Sequence, residues 1–280
     1  MRIEPKILLV GILAATQAFL PCSAQNPPTA SPASAAQTAA ANTTPPDDNA
    51  RKAKALLDQM IQALGGEAYL GLQDLKQEGR TYSFFHGQPT GAGAPFWRFW
   101  KWPDKERLEL TKQRDWVIIH NGDQGYEVTF RGVGPEDPKT FADYQRRRKF
   151  ALEWVLRGWL RQPGIALFYE GPAIAAQKQA EQVTILNAKN EGVTIDIDGV
   201  THLPIKKTFS WRDPADGQRN EESEIYENFK TVQGISTPLS ITRMMNGDIS
   251  NQRFISSVSY NQSLPDSMFQ PSSGEKAKKK

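Results

Sequence analysis

Apolar and polar residues alternate along much of the chain from residue 75 to residue 260, which is the period of a strand with two different faces. Asn246-Gly247, a dipeptide that favours a tight hairpin, joins the last two alternating segments. The pattern predicts about eleven strands separated by turn residues. They span 75–85, 96–102, 107–111, 116–120, 125–130, 183–186, 193–197, 205–211, 222–229, 235–245 and 249–260.

Two other segments have the helical period. Residues 50–64 place apolar side chains three and four positions apart, and Gly65-Gly66 follows where a helix commonly ends. Residues 138–161 repeat the pattern after Asp137 and before Pro163. The sequence therefore predicts one helix before the strands and a longer one midway through them.

The strand at 96–102 reads Phe-Trp-Arg-Phe-Trp-Lys-Trp and is unusually rich in aromatic residues. Alternation places Phe96, Trp100 and Trp102 on one face, and Trp97 and Phe99 on the other. We expect both faces of this strand to be covered by other parts of the protein.

A sheet of about eleven antiparallel strands tends to curl or close, and a helix that enters midway can cover its concave side. The predicted fold class is mainly β with α additions: a curled antiparallel half-barrel whose concave side is covered by helices. Its length suits one domain over residues 50–271.

Residues 1–24 have the features of a secretory signal peptide. Arg2 and Lys6 precede an apolar run, and small residues stand before a cleavage position after Ala24. An alternative is a lipid anchor on Cys22, although Pro21 stands where such sites favour a small flexible residue. Cleavage after Ala24 would leave no cysteine for disulfides, metals or nucleophilic catalysis. We therefore expect an exported protein.

The segments that flank the domain are polar. Residues 25–49 are mainly Ala, Pro, Ser, Thr and Gln, and residues 272–280 end in three lysines. Neither can bury enough apolar surface to offset its ordering entropy, so they predict a disordered linker and a disordered basic tail. The formal net charge of +3, which loses one unit with the signal peptide, is too small to indicate nucleic acid binding.

Residues that could carry chemistry are few. His86, His120 and His202 have no partner at ligand spacing in the sequence, which predicts solvent-facing or turn positions and no metal site. Glu222 and Glu224 share one face of a predicted strand, and we interpret that face as a charged outer surface. The sequence thus predicts no catalytic residue, no metal and no cofactor.

The run Arg146-Arg147-Arg148-Lys149 lies within the second predicted helix, beside Phe150 and Trp154. It is typical of a solvated outer face. It is also typical of a basic amphipathic helix, here 138–161, that contacts a membrane or a membrane protein transiently.

Five stretches, in their order and spacing, resemble a known family. They are KWPDKERLEL (101–110), IIHNGDQGYEV (118–128), THLPIKK (201–207), YENFKTVQGISTPLSI (226–241) and NQSLPDSMF (261–269). The family is the LolA/LolB-like superfamily of periplasmic lipoprotein carriers, with their outer-membrane lipoprotein-sorting relatives. The resemblance implies a half-open barrel with helices over its concave side and an apolar cavity that accepts acyl chains. The carrier has an arginine that ties the sheet to the helical lid, where this chain has Trp102, so we expect a cavity that is constitutively open or differently gated.

The resemblance implies a non-enzymatic periplasmic carrier for the acyl chains of a lipoprotein or for free lipid, in transport to or maintenance of the outer membrane. Two alternatives stay open: a binding or scaffold module with a filled cavity, and a hydrolase that uses Glu222 and Glu224. The predicted ligand-binding residues of the cavity and lid are Phe96, Trp100, Trp116, Ile118, Phe141, Tyr144, Leu152, Val155 and Trp159.

Overall fold

One antiparallel sheet organises residues 46–271, the part of the chain that the computed structural model describes. Its strands are β1 (Asp74–Phe85), β2 (Gln88–Pro89), β3 (Ala94–Lys101), β4 (Lys105–Leu110), β5 (Trp116–Asn121), β6 (Gln124–Thr129), β7 (Gly132–Pro135), β8 (Ala166–Ala175), β9 (Lys178–Leu186), β10 (Gly192–Asp198), β11 (Pro204–Arg212), β12 (Arg219–Val232), β13 (Ile235–Met245) and β14 (Asp248–Tyr260). The helices are α1 (Pro46–Leu64), α2 (Glu67–Leu70), α3 (Pro138–Lys149) and α4 (Leu152–Arg157), with short 3-10 helices at Trp159–Arg161 and Asp266–Phe269.

The strands follow the order β7-β6-β5-β4-β3-β1-β14-β13-β12-β11-β10-β9-β8, and β2 pairs with β1. β1 therefore lies near the middle, between β3 and the last strand, β14. β7 and β8 stand at opposite ends of the order, so the sheet is not closed into a barrel. This confirms the predicted class, a mainly β protein with a curled antiparallel half-barrel and helical additions.

The sheet has 14 strands, more than the sequence pattern predicted. The three unpredicted strands are β2, β7 and β8. β2 and β7 are very short, and β8 contains Gly171-Pro172, a dipeptide that usually marks a turn. Since β8 is an edge strand, it can hold a proline without losing a ladder hydrogen bond in the sheet.

Bulges help the sheet to curl, because an extra residue in one strand bends it and increases its twist. One register shift lies between Glu78 and Gly79, where β1 meets β14. A Cβ atom at Gly79 would lie 2.0 Å from the carbonyl oxygen of Phe254, so this close approach of the two strands requires glycine.

Helices fill part of the concave side. The apolar face of α1, with Leu57, Met60 and Leu64, lies in the main core together with α4 and with strand residues such as Val183 and Ile195. Burial of apolar surface of this kind contributes about 25 cal/mol per Å², before the entropy cost. The remaining part of the concave side is occupied by the cavity described below.

β3 is covered on both faces, as its aromatic residues predicted. Trp100 lies in the main core on the concave side. Trp97 and Phe99 pack on the opposite side against Leu264 and Phe269, which follow β14. The C-terminal segment of the domain therefore seals the convex face of this strand.

The predicted helix boundaries need two corrections. α1 begins at Pro46, so residues 46–49 belong to the helix and not to the linker. The continuous helix predicted at 138–161 is wrong, because the extended backbone of Ala151 separates α3 from α4. The break accompanies the burial of Phe150, which stacks on Phe209 of the sheet with the ring centroids 4.4 Å apart.

The predicted signal peptide, Cys22, most of the predicted linker and the predicted basic tail lie outside the described residues. Within residues 46–271, no helix has the length and apolar character needed to cross a membrane.

Candidate functional site

A cavity of about 540 Å³ lies on the concave side, between the sheet and the α3–α4 segment. β1, β3, β4, β5 and β11 to β14 all contribute side chains to its wall. The four α-helices and the segments between elements also contribute, among them Leu64 at the end of α1 and Glu136 after β7. This volume is within the range of about 300–1,000 Å³ that is common for small-molecule sites.

One end of this cavity is apolar. Tyr69, Leu72, Leu75, Trp100 and Leu152 line it and belong to the main core at the same time. Leu75 and Trp100 are cross-strand partners on β1 and β3, which fixes their side chains beside each other. A hydrocarbon chain placed here would leave water at a gain of about 0.8 kcal/mol per methylene.

Charged side chains cross the concave face next to the apolar end. Lys207 on β11 faces Glu224 on β12, and Glu224 faces Arg243 on β13. Arg253 on β14 and Arg98 on β3 also line the cavity. We call these five residues the charged stripe. Because of the stripe, the cavity is amphipathic, in contrast to the apolar cavity that the resemblance implied.

Glu224 contacts three cations of the charged stripe: Lys207, Arg243 and Arg253. Its Oε2 atom accepts hydrogen bonds from Lys207 Nζ and from the Tyr226 hydroxyl, both at 2.9 Å. Its Oε1 atom accepts one from Arg243 Nη2 at 3.2 Å. Burial alone would raise the pKa of Glu224, but Lys207, Arg243 and Arg253 together hold it well below its usual value. The carboxylate is therefore ionised.

Glu222 lies two residues away on the same face, in a different environment. Its side chain is 1% exposed, and neither carboxylate oxygen has a hydrogen-bond partner among the described residues. Arg243 Nε is 3.3 Å from Oε1, and Arg147 Nη1 is 3.9 Å from Oε2. Burial raises the pKa of Glu222, and these two cations offset the effect only in part.

The structure corrects the prediction of an outer face for Glu222 and Glu224. The two residues do share a face, but it is the concave one. Their cationic partners Lys207 and Arg243 lie on neighbouring strands and become visible only once the register is known. Arg243 contacts both carboxylates, so it occupies the space where an acid/base pair would hold a substrate.

The two remaining cations of the stripe are compensated unequally. Arg98 Nη2 donates to Glu106 Oε2 at 2.9 Å, and both side chains are largely buried. Arg253 has one ion-pair partner within the described residues, Glu224, at 3.9 Å. Burial, with Arg243 and Arg98 nearby, lowers the pKa of Arg253 to about 10. Positive charge is therefore in excess around Arg253.

His120 lies on the same wall, and its predicted solvent-facing position is wrong. Its Nε2 atom is 2.8 Å from Glu136 Oε2, and both side chains are 6% exposed. The ring stacks on Tyr144 of α3, with 3.4 Å between the ring centroids. Glu136 follows β7 and is 16 residues from His120 in sequence, so the spacing of residues along the chain did not predict this pair.

The basic run from Arg146 to Lys149 fastens α3 to the sheet. Every one of its four side chains contacts another part of the domain, so the run is not simply a solvated face. Arg146 lies over the Trp211 ring, Arg147 approaches Glu222, Arg148 donates to the Gly122 carbonyl, and Lys149 pairs with Glu191.

Trp102 joins the sheet to the lid where the resembled carrier has an arginine. The Trp154 ring lies 4.8 Å from the Trp102 ring, and the Arg157 guanidinium lies 3.9 Å from it. Trp154 also donates its indole N–H to the carbonyl of Pro103 at 3.1 Å. In this cation–π contact, α4 supplies the cation, Arg157, and the residue that follows β3, Trp102, supplies the aromatic ring.

Comparison with known proteins finds solved structures with a similar fold. No family model and no curated protein matches this chain. A solved DUF1329 family protein from Desulfovibrio piger is 12% identical, with a TM-score of 0.54, over 78% of this chain and 97% of its own. A solved domain from Vibrio parahaemolyticus, described as an outer membrane lipoprotein-sorting protein, is 10% identical, with a TM-score of 0.51, over 79% and 97%.

This chain has the fold of these two proteins. A LolA superfamily protein from Nitrosomonas europaea is 14% identical over 78% of this chain and 97% of its own, with a TM-score of 0.47. Through the Vibrio parahaemolyticus domain, the predicted resemblance to outer-membrane lipoprotein-sorting proteins is confirmed as a likeness of fold.

Four of the nine predicted site residues line the cavity: Trp100, Ile118, Tyr144 and Leu152. Phe96 and Trp116 are outside it. Phe96 is buried, whereas Trp116 is 44% exposed and donates its indole N–H to Glu127. Their binding of a ligand stays a prediction.

The other three predicted residues, Phe141, Val155 and Trp159, also lie outside the cavity lining. Phe141 stacks on His120, with the ring centroids 5.7 Å apart. Val155 of α4 and Trp159, just after α4, are buried in the main core.

Sequence reasoning missed the charged stripe. Arg98 gave the one visible signal, because alternation places it on the same face of β3 as Phe96 and Trp100. A cation between two large apolar side chains needs a buried partner, and Glu106 supplies it. Within residues 46–271, no three His, Asp, Glu or Cys side chains come together as a metal ion would require.

Proposed function

We propose that this protein is an exported, non-enzymatic carrier that holds the acyl chain of a lipoprotein or of a free lipid in the concave cavity. Cleavage of the signal peptide after Ala24 would release it into the periplasm, where it would serve transport to the outer membrane or its maintenance. The observation that carries the proposal is the cavity of about 540 Å³, with its apolar end against the core.

The apolar end supplies the affinity in this proposal. Each methylene removed from water is worth about 0.8 kcal/mol, so even half of a long acyl chain would gain several kcal/mol there. Leu75 and Trp100 are held by their strand pairing, and Leu152 by α4, so little ordering is needed when the ligand binds.

The filled-cavity alternative fits only one part of the concave side. There α1 and α4 pack against strands β9 and β10, and the core is dense. The side chains over β1, β3, β12 and β13 leave space instead. A hydrolase fits less well, because Arg243 contacts both Glu222 and Glu224.

Native mass spectrometry of the mature protein, purified without detergent from an exporting host, tests the proposal. We expect a species heavier than the polypeptide, from which solvent extraction releases an acylated molecule. The mass of the stripped polypeptide also distinguishes cleavage after Ala24 from lipid modification of Cys22.

A pair of matched variants places the ligand. Ile118 lines the cavity and is half-buried, so Ile118→Trp would fill space that the ligand needs. Ile174 is 81% exposed on β8 and outside the cavity, so Ile174→Trp is the control. We expect Ile118→Trp to lose at least tenfold of the bound lipid and Ile174→Trp to retain it. A wild-type protein that carries no lipid and takes up no fluorescent fatty acid would refute the carrier.

A further inference from the structure

We infer that the charged stripe binds the anionic head group, a phosphate or carboxylate, of an amphiphile whose acyl chain occupies the apolar end. This inference rests on the proposed carrier function and names the class of cargo. It predicts that the cavity prefers anionic lipids over neutral lipids of the same chain length.

The charged side chains of the cavity wall carry an excess of positive charge. Six cations line the cavity against five carboxylates, and one of those carboxylates is Glu222. Burial favours the neutral form of Glu222, so the excess of positive charge is larger than the count of residues suggests. The cations are Arg98, Arg147, Arg148, Lys207, Arg243 and Arg253, and the carboxylates are Glu106, Glu136, Glu153, Glu222 and Glu224.

The excess of positive charge lies at Arg253. Glu224 already accepts hydrogen bonds from Lys207, Tyr226 and Arg243, so it has little capacity left for Arg253 at 3.9 Å. No hydrogen bond links the side chain of Arg253 to another described residue. A bound anion would supply the missing acceptor, because guanidinium groups match phosphate and carboxylate oxygens in pairs.

Two other arginines of the charged stripe lie on the same wall as Arg253. Arg243 Nη2 and Arg253 Nη2 approach the same atom, Glu224 Oε1, at 3.2 and 3.9 Å. Arg98 lines the same cavity, and its Nε atom is buried and without a hydrogen-bond partner within the described residues. Arg243 and Arg253 therefore converge at Glu224, and Arg98 adds a third guanidinium group to this wall.

The charged stripe lies a short distance from the apolar end of the cavity. Arg98 and Trp100 share one face of β3 and are two residues apart, which is about 7 Å along a strand. Arg98 faces the charged part of the wall and Trp100 the apolar part. One molecule with a charged head and a hydrocarbon tail would satisfy both parts together.

The test compares hexadecyl phosphate with hexadecan-1-ol, which has the same chain and no charge, as competitors for a neutral fluorescent lipid probe. The mature wild-type protein should bind the phosphate at least tenfold more tightly, about 1.4 kcal/mol. Arg253→Gln should reduce this preference severalfold, and Arg253→Lys, which keeps the charge, should retain most of it. Arg80→Gln is the matched control, because Arg80 is exposed on the opposite face of neighbouring β1.

Each result is decisive. Equal binding of hexadecyl phosphate and hexadecanol by the wild-type protein would overturn the inference and leave the carrier standing. Binding of neither would overturn the carrier and the inference with it. If inorganic phosphate binds as tightly in calorimetry as hexadecyl phosphate, the site binds free anions, and the inference that it binds a lipid head group is also refuted. Circular dichroism of each variant separates loss of binding from loss of fold.

Discussion

The same substitution at two neighbouring glutamates should have opposite effects on stability. Glu222 and Glu224 share the concave face of β12, and both contact Arg243. Glu224→Gln should destabilise the protein at neutral pH, whereas Glu222→Gln should stabilise it. The difference follows from the partners of each carboxylate.

Glu224→Gln removes the main counter-charge of a buried cation. Lys207 is 2% exposed, and its amine donates to Glu224 at 2.9 Å. Removal of one partner of a buried ion pair typically costs about 3–5 kcal/mol. We expect about 3 kcal/mol, because the amide oxygen of the substituted side chain would still accept one hydrogen bond. For a domain of this size, that lowers Tm by about 6–12 °C.

Glu222→Gln removes a carboxylate that burial makes costly to ionise. Neither of its oxygens has a hydrogen bond within the described part of the chain, and a neutral amide is easier to bury than a charged group. The ion pairs with Arg243 and Arg147 offset part of this cost. We therefore expect a small gain, about 1 kcal/mol, and a Tm higher by about 2–4 °C.

The two effects should also depend on pH in opposite ways. The pKa of Glu224 is lowered by folding, so its contribution to stability is present above its unfolded pKa and is lost as the pH falls through the folded value. The pKa of Glu222 is raised, so the stability linked to its protonated form is present below the unfolded pKa and is lost as the pH rises through the folded value. The gain from Glu222→Gln should therefore vanish below about pH 4, where the unfolded carboxyl is protonated too.

Thermal unfolding followed by circular dichroism between about pH 4 and pH 8 measures both effects. Glu227→Gln is the control, because Glu227 is exposed on the same strand, and its change should stay within about 0.5 kcal/mol. Shifts of the same sign for Glu222→Gln and Glu224→Gln at the upper end of this range would show that the assigned partners are wrong.

Two further predictions concern the α3–α4 segment and its contacts. Trp102→Arg introduces the residue of the resembled carrier and places a second cation beside Arg157, so it should loosen α4. Hydrogen exchange over residues 152–161 should become at least tenfold faster, whereas Trp102→Phe should change the exchange rate far less. His120→Phe keeps a ring against Tyr144 but leaves the buried Glu136 without its partner. Chemical denaturation should show that the free energy of unfolding falls by about 1–3 kcal/mol. A decrease below about 0.5 kcal/mol would contradict a stabilising His120–Glu136 pair.

The sequence predicted the class of the fold because alternation acts within each strand. It failed where a strand contains turn residues, as at Gly171-Pro172 of β8, because the edge position that tolerates proline is a property of the whole sheet. It also failed at Ala151. The helical spacing continues through that residue, but the helix breaks there, where Phe150 packs on Phe209 of the sheet.

The candidate site could be predicted only in part, for a related reason. Trp100 and Leu152 follow from apolar periodicity, and the structure places both at the cavity. Glu224 and Lys207 look like surface charges when each strand is considered alone. Their burial depends on the cross-strand register of β11 and β12, which sets one opposite the other. Polar pairs of this kind are determined by tertiary structure.

The cavity wall contains both apolar and charged side chains, and this mixture affects how easily a carrier releases its cargo. A fully apolar cavity that enclosed a sixteen-carbon chain would gain about 12 kcal/mol, and delivery to a membrane would recover no more than that. In this cavity Arg98, Arg243 and Arg253 occupy wall that apolar side chains would otherwise provide. Methylenes that lie against these charges gain less, so the chain is held less tightly than in a dry apolar barrel. If the stripe binds an anionic head group, part of the affinity shifts to ionic contacts. Unlike burial of the chain, these contacts weaken as salt rises, so release should become easier at high ionic strength.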